Sequence, residues 1–247
     1  MNNLAGKVAL VTGSAQRVGK AIALELARHG TDIALHYGSS PAKVVDQTRR
    51  EIEALGVQAF PIQADLSHAD NSSHLIDAVR AHYGRLNVLV NSASNFLRRR
   101  LLDVTLDDWN ATLAVNLTAP FLLTQHAARL MLQNDPPGGV IINICDKGSL
   151  EPWPDFAAHG ISKAGLLALT QLSAVSLAPP IRTHAIIPGL VLKPDAMPDA
   201  RWQALAADTP LQQPGSAEDV ARAVAYLARE PYLNGVVLNV DGGEYLT

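Results

Sequence analysis

The residues from Thr12 to Gly19 have the composition of a turn that could bind a pyrophosphate group. They read TGSAQRVG and lie between a short β-branched run, KVALVT, and an amphipathic helical pattern. In such a turn Gly13 permits a tight reversal, and Gly19 permits close packing of the helix on the strand. The freed backbone amides, in a stretch that includes Ser14 and Val18, then face an anion together with the helix N-terminus. Because this turn occupies the first strand-to-helix junction, we expect a dinucleotide site there rather than a plain structural turn.

The end of the second strand indicates which nicotinamide dinucleotide would bind. A carboxylate there would bind the ribose 2′-hydroxyl and repel a 2′-phosphate. The segment reads, in order, His36, Tyr37, Gly38, Ser39 and Ser40. It contains no acid, and the seryl hydroxyls and the His36 ring could bind a phosphate, with Arg17 of the glycine turn supplying positive charge. The pattern favours NADP(H) over NAD(H), and the alternative is a polar surface turn.

Polar and small residues also follow the third and fourth strands. Asp65 and Leu66 come after the third strand, at the edge where an adenine ring would lie, although Asp65 could instead be a solvated helix cap. Asn91, Ser92 and Ala93 end the fourth strand at the same edge. Small residues there let the backbone approach a cofactor, and small residues are also common in any turn. We expect all five residues to border the dinucleotide.

The order of the predicted elements determines where these residues lie. Strands are predicted over residues 7–12, 32–36, 57–63, 86–91, 139–144, 183–187 and 236–240. Helices are predicted over residues 18–28, 42–54, 71–83, 106–132, 157–177 and 217–229. Strands that alternate with helices imply right-handed crossovers and a parallel sheet, and apolar strands agree because both faces of such a sheet are covered. We predict a single doubly wound, Rossmann-type α/β domain over residues 1–247, with a central parallel sheet of about seven strands flanked by helices.

Composition excludes several other classes of protein. The net charge of −3 provides no basic surface for nucleic acid. No apolar run approaches the roughly 20 residues of a membrane span, and Met1–Lys7 lacks the apolar core of a signal peptide. The single cysteine, Cys145, excludes an intrachain disulfide, and the eight histidines show no metal-binding spacing. We therefore expect a cytoplasmic protein that binds small molecules, with no metal, nucleic-acid or membrane partner.

Several spaced motifs resemble those of the short-chain dehydrogenase/reductase family. They are TGxxxxxG after the first strand, Asp65-Leu66, Asn91-x-Ala93, Asn116, Ser162-Lys163, Pro188-Gly189 and Asp241-Gly242-Gly243. They occur in the family's order over essentially the whole chain. The resemblance implies a nicotinamide-dinucleotide site that includes Pro188, Gly189 and Leu190. It also implies a homo-oligomer, typically a tetramer, in which C-terminal residues can complete a neighbour's active site.

Two departures from the general family point to one branch. Most members have glycine where this chain has Arg17, and serine where it has Asp146. Together with residues 91–96, NSASNF, these resemble the pteridine reductases and the related dihydromonapterin/dihydrofolate reductases. In that branch the aromatic residue at the position of Phe96 stacks on the pterin and sandwiches it against the nicotinamide ring. Trp153 could line the same pocket, as could Trp202, or either could pack in an interface.

The catalytic positions carry a further departure. The family has a tyrosine four residues before a lysine that binds the nicotinamide ribose. Here Lys163 is present, but the position four before it is His159. Asp146 precedes His159 by 13 residues, which is the family's usual separation between its serine and tyrosine. Asn116 matches the family's proton-relay position, and the alternative is a structural polar residue that bends its helix.

Three interpretations of His159 are open. Hydride transfer to an imine or carbonyl leaves negative charge on the acceptor, so a proton donor must be within reach. His159 could be that donor, since an ordinary histidine has a pKa of about 6.5, with Asp146 favouring and Lys163 opposing the charged ring. Alternatively, the donor is Asp146 or a water that it holds. In the third interpretation the site has lost reductase chemistry.

These interpretations lead to three functional hypotheses. The first is an NADPH-dependent reductase that acts on a pterin or a related planar heterocycle, for which the arginines of residues 98–100 could attract an acidic substrate tail or simply form a solvated loop. The second is a carbonyl reductase or alcohol dehydrogenase of the wider family. The third is a non-catalytic protein that binds NADP(H).

Overall fold

The apolar runs of the sequence form the strands of a single parallel sheet. The structure, a computed structural model, describes residues 3–194 and 196–246. The strands are β1 Val8–Val11, β2 Asp32–Tyr37, β3 Ala59–Gln63, β4 Val88–Asn91, β5 Gly139–Ile144, β6 Ile181–Pro188 and β7 Val237–Val240. They lie in the order β3-β2-β1-β4-β5-β6-β7, and every neighbouring pair is parallel. The predicted fold class, a Rossmann-type sheet of seven parallel strands, is confirmed.

The helices occupy the predicted stretches with two differences. They are α1 Arg17–Arg28, α2 Ala42–Glu53, α3 Asp70–Tyr83, α4 Leu106–Leu113, α5 Ala119–Met131, α6 Ala157–Ser176, α7 Asp199–Ala207 and α8 Ala217–Arg229. Helix α7 lies between β6 and α8, over residues for which no helix was predicted. The single helix predicted over residues 106–132 is wrong, because a π-helical segment, Ala114–Thr118, separates α4 from α5.

Pro120 gives a physical reason for that interruption. Proline has no backbone N–H, so residue 120 cannot donate to the carbonyl of Asn116, as continuation of an α-helix would require. The wider π turn instead joins the Ala119 N–H to the carbonyl of Ala114. As a result Asn116 lies in an irregular part of the helix with its side chain fully buried.

Alternate residues of each strand face the two helical layers. On one face, Val11 and Leu35 pack in a core that includes residues of α1, α2 and α8. On the other face, Leu10 and Leu89 pack against α3 and α5. The end of β5 and strand β6 pack in the same way against α6.

The connection between strands reverses direction next to β1. From β1 the chain proceeds to β2 and β3 on one side, and it then crosses to β4 on the other side. In open parallel sheets a crevice forms at such a point, outside the carboxyl ends of the strands. The segments after β1, β2, β3, β4, β5 and β6 all emerge at this edge, so the topology brings the candidate site residues to one side of the molecule.

Candidate active site

The turn after β1 has the geometry that its glycines predicted. Gly13 has a φ of +68°, and a Cβ there would lie 3.2 Å from the Cα of Ala93. A Cβ on Gly19 would overlap the carbonyl oxygen of Gly13. Arg17 is exposed and has a φ of +57°, a conformation that few residues other than glycine adopt. Val18, which follows it in α1, is half-buried.

His36 does not face solvent at the end of β2, and its predicted contact with a phosphate is wrong. The residue is 2% exposed. Its Nδ1 lies 3.0 Å from the backbone nitrogen of Gly13, and its Nε2 lies 3.0 Å from the carbonyl oxygen of Ala64. Both ring nitrogens are thus used within the protein.

The hydroxyl of Ser14 is also turned inward. Ser14 is fully buried, and its backbone N–H and its hydroxyl both donate to the carbonyl of His36, at 2.9 and 3.3 Å. A direct contact of this side chain with a cofactor is therefore excluded in this conformation. In contrast, Ser39 is exposed, and Tyr37 and Ser40 are half-buried.

Asp65 and Leu66 differ in their environments. Asp65 is exposed and its Oδ1 accepts a hydrogen bond of 2.9 Å from the backbone N–H of Ser67, which lowers the pKa of the carboxyl group. Asp65 is thus solvated and bonded within its own turn, but it does not cap α3, whose N-cap is Ala69. The side chain of Leu66 is buried in the core beneath α3, so only its backbone could border a cofactor.

Thr12, which was not among the predicted site residues, holds the end of β4 against β1. The hydroxyl of Thr12 accepts from the backbone N–H groups of Ser92 and Ala93, at 2.9 and 3.0 Å. The position of Thr12 directly before Gly13 was the available signal. The side chain of Asn91 is buried, and its amide donates to Oδ1 of Asn143 on the neighbouring strand at 2.8 Å, so the contact of Asn91 with a cofactor stays a prediction.

The turn after β6 contains Pro188, Gly189 and Leu190, each half-buried at the same edge of the sheet. A Cβ on Gly189 would lie 2.8 Å from the Cα of Asp241, so glycine is needed for the chain after β7 to pack here. The Gly189 N–H donates to the carbonyl of Val240 at 3.0 Å.

Asp146 and His159 are in direct contact. Oδ2 of Asp146, just after β5, is bound to Nε2 of His159 in the first turn of α6. The His159 side chain is 2% exposed and the Asp146 side chain is 19% exposed. Two glycines allow these segments to pack closely. A Cβ added to Gly148 would lie 3.1 Å from the Cα of Gly160.

The hydrogen bonds around Asn116 determine where one of the His159 protons lies. The two hydrogens of the Asn116 amide are used by the Asn95 carbonyl at 2.9 Å and by the Ser162 hydroxyl at 3.0 Å. Nδ1 of His159 lies 3.0 Å from the Asn95 carbonyl, which can only accept, so Nδ1 carries a hydrogen. The other ring nitrogen, Nε2, faces the carboxyl group of Asp146.

Lys163 lies one helical turn after His159 and is 4% exposed. Its ammonium group donates to the carbonyl of Ile144 at 2.8 Å. Burial lowers the pKa of this ammonium group, and the nearby charge of Asp146 opposes that effect. Burial also raises the pKa of the Cys145 thiol to about 11, in agreement with a core residue rather than a nucleophile.

Four rings form an aromatic group beside this pair. Phe96, which is 55% exposed, stacks on Phe156 at a centroid distance of 4.5 Å and meets the His159 ring edge-to-face at 4.7 Å. Trp153 packs on Phe156 at 4.7 Å. Phe156 was missed from the sequence, although an aromatic residue three positions before His159 was a usable signal. Trp202 is buried in α7, and among the described residues no ring contact joins it to this group.

The arginines after Phe96 form exposed ion pairs. Arg98 and Arg100 both bind the carboxylate of Asp155, which lowers the pKa of that carboxyl group. The backbone between them is also held, since the Ala157 N–H donates to the carbonyl of Arg99 at 3.0 Å. The segment that carries Phe96 is therefore attached to the start of α6.

Metal and membrane sites were searched for over residues 3–194 and 196–246. No group of three or more His, Cys, Asp or Glu side chains in these ranges is arranged to hold a metal ion. No helix in the same ranges has the length and apolarity needed to cross a membrane.

Comparisons with known proteins agree with this geometry. A sequence profile described as "Enoyl-(Acyl carrier protein) reductase" matches residues 13–244. A 3-oxoacyl-[acyl-carrier-protein] reductase of Synechocystis is 34% identical, with 98% of each chain covered. A blue fluorescent protein from a metagenomic library, solved in complex with NADPH, has a TM-score of 0.90 and 36% identity, covering 98% of this chain and 99% of its own. The FolM alternative dihydrofolate reductase 1 of Brucella canis, complexed with NADP, has a TM-score of 0.92 and 29% identity, covering 99% and 96%.

The profile matches most of the chain, and the similar solved structures share its fold. The chain belongs to the short-chain dehydrogenase/reductase family and is an oxidoreductase.

Proposed function

We propose that the protein is an NADPH-dependent reductase whose acceptor is a pterin or a related planar heterocycle. This proposal rests on one observation. The exposed Phe96 ring contacts the ring of His159 edge-to-face, and His159 is in turn bound to Asp146. A flat aromatic surface next to a proton-holding pair suits a flat heteroaromatic acceptor. The likeness to a FolM dihydrofolate reductase supports the same substrate class.

The residues after β1 and β2 fit a nicotinamide dinucleotide with a 2′-phosphate. The glycine turn leaves no room for a Cβ at Gly19, and Arg17 places an exposed cation in that turn. No carboxylate occupies residues 36–40 to repel a phosphate. NADPH and NADP in the two similar solved structures support the NADP(H) prediction. When bound, the nicotinamide supplies the hydride.

Lys163 would hold the nicotinamide ribose, as the family resemblance implies. Its ammonium group is already fixed by the Ile144 carbonyl, and the side chain is buried beside Asp146. Because burial lowers the pKa of the ammonium group, hydrogen bonds that it donates to ribose hydroxyl oxygens, together with the charge of Asp146, would help to keep it charged.

The proton for the acceptor would come from the Asp146–His159 pair, with Asp146 as the group that contacts substrate. His159 is nearly fully buried and directs Nε2 at the carboxyl group, whereas part of Asp146 is accessible. His159 would hold the proton that Asp146 passes to the acceptor, and solvent water would supply its replacement, while Asn116 keeps the ring oriented through Asn95. This arrangement favours the second of the three interpretations, with His159 as a partner rather than a bystander.

Stopped-flow measurement of NADPH oxidation tests the substrate class. We expect turnover with dihydrobiopterin or dihydrofolate and little turnover with simple ketones. Turnover confined to ketones or to 3-oxoacyl thioesters would refute the pterin proposal. It would support carbonyl reduction, the second candidate, which is favoured by the 34% identity to a 3-oxoacyl-[acyl-carrier-protein] reductase. Comparison with His159→Tyr on the same panel would show whether the natural pair is the better donor.

We also propose that the protein is a homotetramer that works in the cytoplasm. Leu172 and Val175 on α6 are 63% and 82% exposed, and Phe121 on α5 is 42% exposed. Such apolar side chains on two helices fit a subunit interface. We expect Val175→Asp to produce smaller species in size-exclusion chromatography with light scattering, whereas Tyr232→Asp, a fully exposed control, stays tetrameric. A monomeric wild-type protein would refute this proposal.

A further inference from the structure

The ring of His36 lies between two segments that approach the proposed dinucleotide from different strands. Nδ1 accepts the hydrogen bond of 3.0 Å from the Gly13 N–H, at the start of the glycine turn. Nε2 lies 3.0 Å from the carbonyl oxygen of Ala64, directly before Asp65. The ring is 2% exposed, so water does not compete for either nitrogen.

Only one form of the ring satisfies both contacts. The Gly13 N–H needs a lone pair on Nδ1, and the Ala64 carbonyl needs a hydrogen on Nε2. The ring is therefore neutral with its hydrogen on Nε2. In a doubly protonated ring Nδ1 would also carry a hydrogen, so Nδ1 and the Gly13 nitrogen would be two donors facing each other. Burial lowers the pKa of His36, which agrees with the neutral ring.

The backbone of His36 also forms hydrogen bonds with the glycine turn. Its carbonyl accepts from the backbone N–H and the hydroxyl of Ser14, at 2.9 and 3.3 Å. His36 thus binds Gly13 and Ser14 in the turn after β1, and it also binds Ala64 in the segment after β3. The distance between the glycine turn and the edge after β3 is set through this ring.

We propose that His36 is a positioning residue for NADP(H), which fixes the glycine turn relative to the adenosine side of the site without touching the cofactor. The proposal rests on NADP(H) being the cofactor but not on the pterin substrate. Because the Gly13 N–H is used by His36, the amides that remain for the pyrophosphate are those further along the turn. A shift of Gly13 would therefore displace all of these backbone amides together.

Two substitutions separate the two hydrogen bonds of the ring. Asparagine carries an amide oxygen near the position of Nδ1, so His36→Asn retains an acceptor for Gly13 but loses the donor to Ala64. Glutamine carries its amide near Nε2, so His36→Gln retains a donor for Ala64 but leaves the Gly13 N–H without a partner. His184, a fully buried histidine on β6, supplies matched controls in His184→Asn and His184→Gln.

Direct binding of NADPH, followed by nicotinamide fluorescence without any acceptor substrate, is the readout. We expect His36→Asn to bind NADPH nearly as well as the wild type, and His36→Gln to bind about tenfold more weakly, as expected for an unpaired buried amide. The His184 variants should bind as the wild type does, even if their melting temperatures fall. Equal weakening in both His36 variants, or weakening in His184→Gln as large as in His36→Gln, would overturn the proposal.

A measurement on the unsubstituted protein does not depend on any variant folding. Long-range ¹H–¹⁵N correlation spectra distinguish the two neutral histidine tautomers. We expect the His36 signals to show hydrogen on Nε2 and an unprotonated Nδ1 at neutral pH, and the Gly13 amide to be protected from exchange. A hydrogen on Nδ1, or rapid exchange of the Gly13 amide, would contradict the arrangement. Since no substrate is present, failure here is distinct from failure of the pterin proposal.

Discussion

Oδ2 of Asp146 binds Nε2 of His159, and the Asp146 side chain is the more exposed of the two, with 19% accessible against 2%, although its Oδ1 is buried. The other ring nitrogen of His159 is directed to the Asn95 carbonyl. The histidine thus occupies the position of the family's tyrosine but does not present a free hydrogen to the cleft. In the proposed reaction, Asp146 is therefore the member of the pair that would contact the substrate.

Replacement of this carboxyl group should therefore remove proton transfer but not cofactor binding. We expect Asp146→Asn to lower kcat by about 100-fold or more, the usual range for a lost general acid. The dissociation constant for NADPH should change little. Stopped-flow kinetics with the best pterin substrate would measure both. Glu151→Gln removes a nearby carboxylate that is bound to Lys147, and as a control it should retain most activity. A fully active Asp146→Asn variant would exclude Asp146 as the donor.

Arg17 should contribute to cofactor choice more than to stability. Its left-handed backbone costs free energy in any residue other than glycine, so Arg17→Gly should not lower the melting temperature. We expect Arg17→Gly to weaken NADPH binding by about tenfold or more, the loss typical of a charged hydrogen bond, with NADH binding unchanged. Titration with each dinucleotide measures the selectivity. Arg28→Gln, on the same helix and ion-paired to Glu25, is the control. Equal weakening for NADH and NADPH would contradict a role in binding the 2′-phosphate.

Asp155 should affect substrate affinity through the segment that carries Phe96. Its carboxylate holds both Arg98 and Arg100. Asp155→Asn weakens these ion pairs, so the Phe96 ring should become less ordered. We expect KM for a pterin to rise several-fold, while kcat and the NADPH dissociation constant stay near their wild-type values. Asp77→Asn, which removes the partner of Arg80 on α3, should leave KM unchanged. A fall in kcat alone would refute this interpretation.

His184 should make the protein less stable in acid. Burial, together with the charge of Arg182, lowers the pKa of His184 to about 4 from an ordinary 6.5. The unfolded chain takes up a proton below pH 6.5 while the folded protein does not, so this contribution to stability is complete above about pH 6.5 and is lost as the pH falls toward 4.

Urea unfolding at several pH values in that window would measure this effect. His184→Asn removes the titration, so its free energy of unfolding should fall with pH less steeply than that of the wild type, by up to about 1.4 kcal/mol per pH unit. His36 titrates in the same direction but is present in both proteins, so its effect cancels in the comparison. Identical slopes for the two proteins would show that His184 is not neutral in the folded state.

The sequence by itself determined the features that depend on local order. Alternating apolar strands and helices predicted the parallel sheet, and in such a sheet all strands end at the same edge. The glycine spacing predicted the turn after β1, and the family resemblance, through the 13-residue spacing between Asp146 and His159, implied that they occupy paired positions. None of these features requires knowledge of which distant side chains meet.

The tertiary structure decided which partner each polar group finds. His36 binds Gly13 across 23 residues, and His159 binds the Asn95 carbonyl across 64 residues. Such contacts depend on the relative position of strands and helices to within a fraction of an ångström, and residue type alone does not specify it. That is why His36 was expected to bind a phosphate and was found to support the glycine turn instead. For the same reason the contact between Nε2 of His159 and Asp146 became visible only in the tertiary structure.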